Sequence, residues 1–296
     1  MIRKLFIIAA IVNIMPLAAQ DDLMDLFGEE EPRQELTFAT FKTTRVVNGH
    51  SVENPAPGVL LFIISHHFGE LNKGAYELFG LDQSTIRLGL EYGWNDFLSF
   101  GVGRSSWEKT YDAFLKVKLL RQQSGLREVP LTLSYYSSIA LNSLKWAEPE
   151  RKNYFSSRLS YVHQLLIARK FNNDLSLQLT PSIIHKNLVP TAADENTAFA
   201  LGLGGRYKLN QRLSINGEYF YLLPDQYVAD VHNSLSLGLD IETGGHVFQL
   251  HITNAKPMFE RGFITETYGR WDKGDIYFGF NITRVFTVRK PESFRE

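Results

Sequence analysis

The residues best equipped for chemistry in this 296-residue chain are its eight histidines: His50, His66, His67, His163, His185, His232, His246 and His251. There is no cysteine, which excludes thiolate nucleophiles, cysteine metal sites and haem attachment through cysteine. His66 and His67 are adjacent, and adjacent side chains of a strand point to opposite faces. They cannot easily chelate one ion, and a metal or haem site would need a partner on a neighbouring strand, such as His251. Filling of a polar interior is the plainer reading, so no metal ligand and no cofactor is assigned. Asn48, His50 and Ser51 carry the residue types of a lipid hydrolase. They lie in one short N-terminal segment, however, whereas a triad is assembled across elements and recognised by geometry. No catalytic residue is assigned either.

A larger charged set falls where a strand's second face would be: Arg87, Glu91, Arg104, Asp112, Lys116, Lys118, Arg158, Arg206, Lys208, Glu218, Asp240, Glu242 and Asp275. What it means depends on the elements that position it. From residue 58 onward the dominant period is two. About twelve strands are predicted, near 58–69, 84–94, 97–105, 110–121, 130–142, 155–169, 174–185, 196–208, 212–222, 233–242, 246–254 and 274–288. Ile86, Leu88, Leu90 and Tyr92 share one face of the second, for instance, opposite Arg87, Gly89 and Glu91. Pro181 falls inside the seventh, where a bulge or an early end is expected because proline cannot donate to a ladder.

Alternation alone would also suit a soluble sandwich. Three features favour a closed antiparallel up-and-down transmembrane β-barrel, an all-β fold over residues 58–290. The polar faces are rich in Gly, Ser and Ala, which suit a crowded lumen. The strand lengths match a tilted crossing of about ten residues. Connections mostly alternate between short (around Asn95-Asp96, 170–173, 209–211 and 243–245, with 122–129 somewhat longer) and long (70–83, 143–154, 186–195, 223–232 and 255–273, the short stretch around Ser106-Trp107-Glu108-Lys109 being the exception), as in barrels with short periplasmic turns and long outer loops. Tyr92, Trp94 and Phe97 near one rim, and Trp146, Tyr154, Phe155, Tyr268 and Trp271 near the other, fit interfacial girdles.

Residues 1–20 have the layout of a cleaved signal peptide: Arg3 and Lys4, an apolar run from Leu5 to Leu17, then Ala18-Ala19. The run is shorter than the about 20 apolar residues of a spanning helix. Export and insertion in the cell outer membrane are expected. Residues 21–57 form an acidic periplasmic leader, with seven acids against Arg33 in residues 21–36. The Asp21–Glu35 stretch is a candidate recruiter of a periplasmic protein. Residues 37–53 are a candidate lumen plug, and 291–296 a short tail. No basic cluster with interleaved aromatics points to nucleic acid.

The stretches 48–53 (NGHSVE), 66–69 (HHFG), 78–82 (LFGLD), 89–93 (GLEYG) and 103–105 (GRS) resemble a family known only as a β-barrel domain of unknown function, exported by Gram-negative bacteria. The resemblance implies an outer-membrane barrel, with outer-membrane lipid and, during insertion, the barrel-assembly machinery as partners. It brings no activity and no functional residues. Two readings of the charged lumen stand: paired charges closing a plugged or purely structural barrel, or a narrow polar pore for small solutes.

Overall fold

The computed structural model describes residues 33–290 apart from Gly245. The signal peptide, the acidic residues 21–32 and the tail 291–296 lie outside the described residues. Twelve strands form the wall: β1 (Val59–Glu70), β2 (Ser84–Gly93), β3 (Leu98–Ser105), β4 (Tyr111–Leu120), β5 (Thr132–Leu141), β6 (Leu159–Lys170), β7 (Leu175–Lys186), β8 (Thr197–Lys208), β9 (Leu213–Leu222), β10 (Ser234–Thr243), β11 (His246–Thr253) and β12 (Tyr277–Thr287). Each pairs antiparallel with its sequence neighbours, and β12 pairs with β1, closing the barrel. Closure leaves no strand edge, the condition for a sheet to cross hydrocarbon.

The predicted alternation holds along the wall. Leu88, Leu90, Phe100, Val102, Leu115, Leu177, Leu179, Leu201 and Leu203 are large, exposed and outward, an apolar belt that a soluble protein would not present. Ser99, Ser134, Ser138, Ser160, Ser182, Thr180 and Ser236 face inward and are buried. Both described ends of the chain lie at the rim of short turns, where Val288 and Arg289 donate to the Gly58 carbonyl. A two-residue pair, Glu35–Leu36 with Gln123–Ser124, caps the same rim.

Several expectations are corrected. Arg104 points outward, not into the lumen. It shares a register row with Leu88 and Tyr111, and its guanidinium lies 5.8 Å from the Tyr111 ring centre. The parity of β3, set by Ser99 and Gly101, decides this. Arg158 lies in a 3-10 turn, Phe155–Arg158, so β6 starts at Leu159. Asp275 sits in the loop before β12, where Asn72 Nδ2 donates to it at 2.6 Å. Pro181 neither bulges nor ends β7. The ladder to β6 lacks only the pairs at Pro181 and Thr180, and resumes in the same register.

Gly279 of β12 lies in register between His251 of β11 and His67 of β1. Having no side chain, it lets the two imidazoles meet above it, Nε2 to Nε2 at 2.8 Å. His67 Nδ1 lies 3.1 Å from the Lys256 carbonyl and must donate to it. His67 Nε2 therefore accepts from His251. A Cβ at position 279 would stand 2.6 Å from His251 Nε2 and 2.7 Å from the His66 carbonyl. Gly279→Ala is expected to destabilise the barrel by about 1–3 kcal/mol, the usual cost of overpacking. Urea unfolding from lipid vesicles measures it, and an unchanged midpoint would refute the packing role.

Candidate functional site

The site is the lumen, and two segments that belong to no strand fill it. Residues 40–53 enter from the short-turn rim and are mostly buried. They fold into a hairpin: the amide of Ser51 donates to Thr44 O, Arg45 faces His50, and Val46 N donates to Gly49 O at 2.8 Å. The turn's own amides have no partner within the hairpin. The Glu218 carboxylate of β9 accepts from all three, Asn48 N at 2.7 Å, Gly49 N at 3.0 Å and Val47 N at 3.2 Å. Successive amides make an anion-binding concavity, and here the wall supplies the anion. Asn48 Nδ2 reaches Ser236 Oγ, and Asn281 Nδ2 donates to Val47 O. The returning strand is held by Lys116 Nζ, which donates to Ser51 O and Glu53 O, and by Gln178, which bonds Val52 N and His50 O. Phe41, Val46 and Val52 pack with Phe114, Tyr136 and Leu166 of the wall.

The second filler is the β11–β12 connection from the other rim. Residues 254–267 are nearly all buried, and Glu260–Thr265 forms a short helix, α1. Asn254 Nδ2 donates to Asn233 O and Gly269 O, drawing the two ends of the loop together. Phe263 and Ile264 pack on Val162, Ile184, Ala198, Ala200 and Phe220 of β6 to β9. The fillers meet at Arg45. Its Nη1 lies 3.3 Å from Glu260 of α1 and donates to Asn48 O at 2.7 Å, and its Nη2 lies 3.6 Å from Glu91 of β2. Glu91 also accepts from Thr44 Oγ1 at 2.6 Å. Arg45 Nε and Nη2 and Glu91 Oε1 have no hydrogen-bond partner among the described residues.

Toward the long-loop rim, Arg261 donates to Glu266 and Glu108, each at 2.6 Å, and Lys186 donates to Glu266 at 3.1 Å. Burial raises the Glu266 carboxyl, but Arg261 and Lys186 outweigh burial and hold it below its ordinary range.

The structure thus gathers most of the predicted charged set around the two fillers. Arg87 and Asp112 form a buried pair across β2 and β4. Glu91, Lys116 and Glu218 hold the hairpin. Arg206 donates to Ala39 O at 3.0 Å, and Glu242 pairs with Lys42 near the short-turn rim. Lys118 is buried near that rim, and Asp240 accepts from Gln249 at 2.9 Å. Lys208 ends β8 there, half-buried on the inward parity. Arg104 is left outside. Arg45, Glu260, Arg261 and Glu266 belong to the site without having stood out in the sequence. The signal available was the apolar content of Met258-Phe259 and Phe263-Ile264, unusual for an exposed loop.

No triad forms from Asn48, His50 and Ser51, because Ser51 Oγ donates to Thr43 O and Asn48 is spent on Ser236. On the outer face Tyr135 Oη and Ser137 Oγ lie 2.7 and 3.2 Å from one nitrogen, His163 Nδ1. Two hydroxyls competing for one lone pair, with no carboxylate among the described residues to orient the ring, do not make an activated nucleophile. His67 and His251 gain no third donor: no group of three metal-ligating His, Cys, Asp or Glu occurs among the described residues.

Two measurements test how the fillers are held. The chain has no cysteine, so Val47→Cys gives a unique label at the tip of the hairpin. Labelling is expected to be slow, and Glu218→Gln to speed it about tenfold or more, since hydrogen bonds to a charged group each contribute about 1.5–3 kcal/mol. An unchanged rate would dismiss the Glu218 anchor. The second concerns pH. A carboxyl held low in the folded state contributes stability above its unfolded value, about 4.3, which is lost as pH falls through the folded one. Hydrogen exchange at Phe263 and Glu266, corrected for intrinsic rates, should stay protected from neutral pH to about 5 and open only below about 4. Opening at higher pH would assign the hold to another group.

The comparisons bear on the fold. Solved structures similar to this chain include the NanC porin, at 9% identity over 77% of this chain and 98% of that one, TM-score 0.46. The KdgM porin matches at 11% over 78% and 99%, TM-score 0.46. Outer membrane phospholipase A from Escherichia coli matches at 12% over 76% and 88%, TM-score 0.40. No curated protein matches. The family model described as "Membrane bound beta barrel domain (DUF5777)" matches residues 41–286, from the hairpin to the end of the wall, and the chain belongs to that family.

Proposed function

We propose that this protein is a non-enzymatic outer-membrane barrel that forms a gated passage for small polar solutes, here in its closed state. One observation carries the reading. The lumen is blocked by two segments that lie outside the wall's ladder, and they join through charged groups at Arg45, Glu91 and Glu260 rather than through strand pairing. Displacing either segment leaves the closed wall intact. The lumen it opens is lined by Ser, Thr, Gln and charged side chains, such as Gln178, Gln249, Lys116 and Glu218, and charged rings of this kind pass and select polar solutes. Under this reading the long loops face the cell exterior and the hairpin enters from the periplasm.

Planar-bilayer conductance tests it. The full chain is expected to show little or no conductance, and a chain trimmed of residues 21–53 to show discrete openings. Arg45→Ala leaves Glu91 and Glu260 buried without their cation, a loss of about 3–5 kcal/mol when a buried pair is broken. It is expected to raise the frequency of opening. Silence from all three proteins would count against a passage.

A further inference from the structure

We propose that the cavity above α1, at the long-loop rim, binds a small amphipathic organic anion. This deepens the passage reading by naming the class of solute, and rests on that reading only for the effect of binding on the gate. The cavity measures about 310 Å³, within the range of pockets that enclose small ligands.

Its cations exceed its anions. Glu108 and Glu266 are both engaged by Arg261, and Glu266 also by Lys186. Arg158 and Lys145 line the same cavity, and neither has a carboxylate within ion-pair distance among the described residues. Arg158 is nevertheless fixed in place. Its Nη1 donates to Asn142 O and Leu144 O, and its guanidinium stacks 3.7 Å from the Trp146 ring centre. A stacked guanidinium whose own donations go only to carbonyls keeps its full charge for a ligand.

A second donor points the same way. The Arg261 side chain is nine-tenths buried, its Nη1 and Nη2 are taken by Glu266 and Glu108, and its Nε has no partner among the described residues. A buried donor left unpaired is costly, so the guanidinium that lines this cavity is not fully satisfied by its two carboxylates. Leu144, Leu188, Val189 and Pro190 give the same cavity an apolar part of its lining. The ligand that fits has one anionic group, carboxylate or phosphate, toward Arg158, Lys145 and Arg261, and an apolar body against that part of the lining.

The site also touches the gate. Arg261 and Glu266 line the cavity, while Glu260, the residue before Arg261, faces Arg45 of the hairpin. An anion that draws Arg261 toward itself competes with Glu266 and Glu108 for the guanidinium and loosens the helix that holds the hairpin.

Isothermal titration of the refolded full chain tests this, with phenylacetate and phenyl phosphate as probes and phenethyl alcohol as the uncharged control. One or both anions are expected to bind, which tells carboxylate from phosphate preference, and the alcohol to give no heat. Arg158→Gln is expected to weaken anion binding by about tenfold or more, in line with loss of a charge-assisted contact. Heat-modifiable migration on gels checks that the variant is folded. Lys145→Glu, at an exposed position, serves as the second variant and should also weaken binding. No binding of either anion at millimolar concentration, equal binding of the alcohol, or indifference to both substitutions overturns the proposal. Binding in a chain that never conducts sinks the passage and leaves the site. Conductance in the trimmed chain without binding to the full one does the reverse.

Discussion

A twelve-strand closed wall encloses a space that its own side chains do not fill. Small barrels are packed by their interior residues and large ones hold open water, and twelve strands lie between. The wall cannot shrink to close the gap, because hydrocarbon outside requires every strand amide and carbonyl to stay in the ladder. The filling must come from elsewhere in the chain, and its shape determines where the wall uses small residues. Gly204 faces Val46 and Gly238 faces Val47 at the hairpin, while Gly202 makes room for Phe220, which α1 packs upon. The glycines that look like weak points in strands are the sites where something else is placed.

The two fillers are held differently. α1 lies on an apolar patch of β6 to β9 and is fixed mainly by burial of Phe263 and Ile264. The hairpin has an apolar contact too, but its tip is fixed by the Glu218 carboxylate and its return by Lys116. Each filler leaves a charge that the other must meet. Without Arg45, Glu260 and Glu91 would be buried anions, and without them Arg45 would be a buried cation. Removing one partner of a buried pair costs far more than the intact pair contributes, so this junction makes the position of each segment depend on the other.

The wall was legible because a barrel imposes one rule, period two, on every strand, and the rule survives without knowledge of neighbours. It failed where a residue's environment depends on register or on the end of a strand. Arg104 looks like a lumen charge by type, but β3 parity and the Tyr111 ring place it outside. Arg158 looks like a strand residue, but the chain is still turning there. The hairpin was partly legible, since residues 37–53 stand out as a segment able to enter the lumen, but its turn at Val47-Asn48 is anchored by contacts with the wall. The β11–β12 connection read only as a long loop. Its inward course depends on Asn254, Gly269 and the Phe263 contacts, all made with distant parts of the chain, and no local period records them. The sequence does suggest His251 as a partner for the His66-His67 pair, and His251 meets His67, but across Gly279 of the strand between them rather than from a neighbouring strand.

The chemistry of the junction suits the passage we propose, a closure that opens, better than a permanent core. A lumen sealed for structural reasons is served at least as well by apolar packing, since replacing a buried ion pair with hydrophobic groups of similar volume is often neutral or stabilising. Here the contact between the fillers is charged and incompletely bonded, with Arg45 Nε and Nη2 and Glu91 Oε1 lacking hydrogen-bond partners among the described residues, although Nη2 and Oε1 lie within ion-pair distance of each other. A half-satisfied polar network is weaker than either a complete one or an apolar one. In the separated state the same groups would be hydrated, and water would restore what the closed state leaves unmet. An apolar junction would have the opposite bias, exposing hydrophobic surface on opening. On the gated-passage reading we propose, the groups placed between hairpin and helix would narrow the free-energy gap between a blocked and a water-filled lumen, while the wall, bonded through its ladder, would be the same in both.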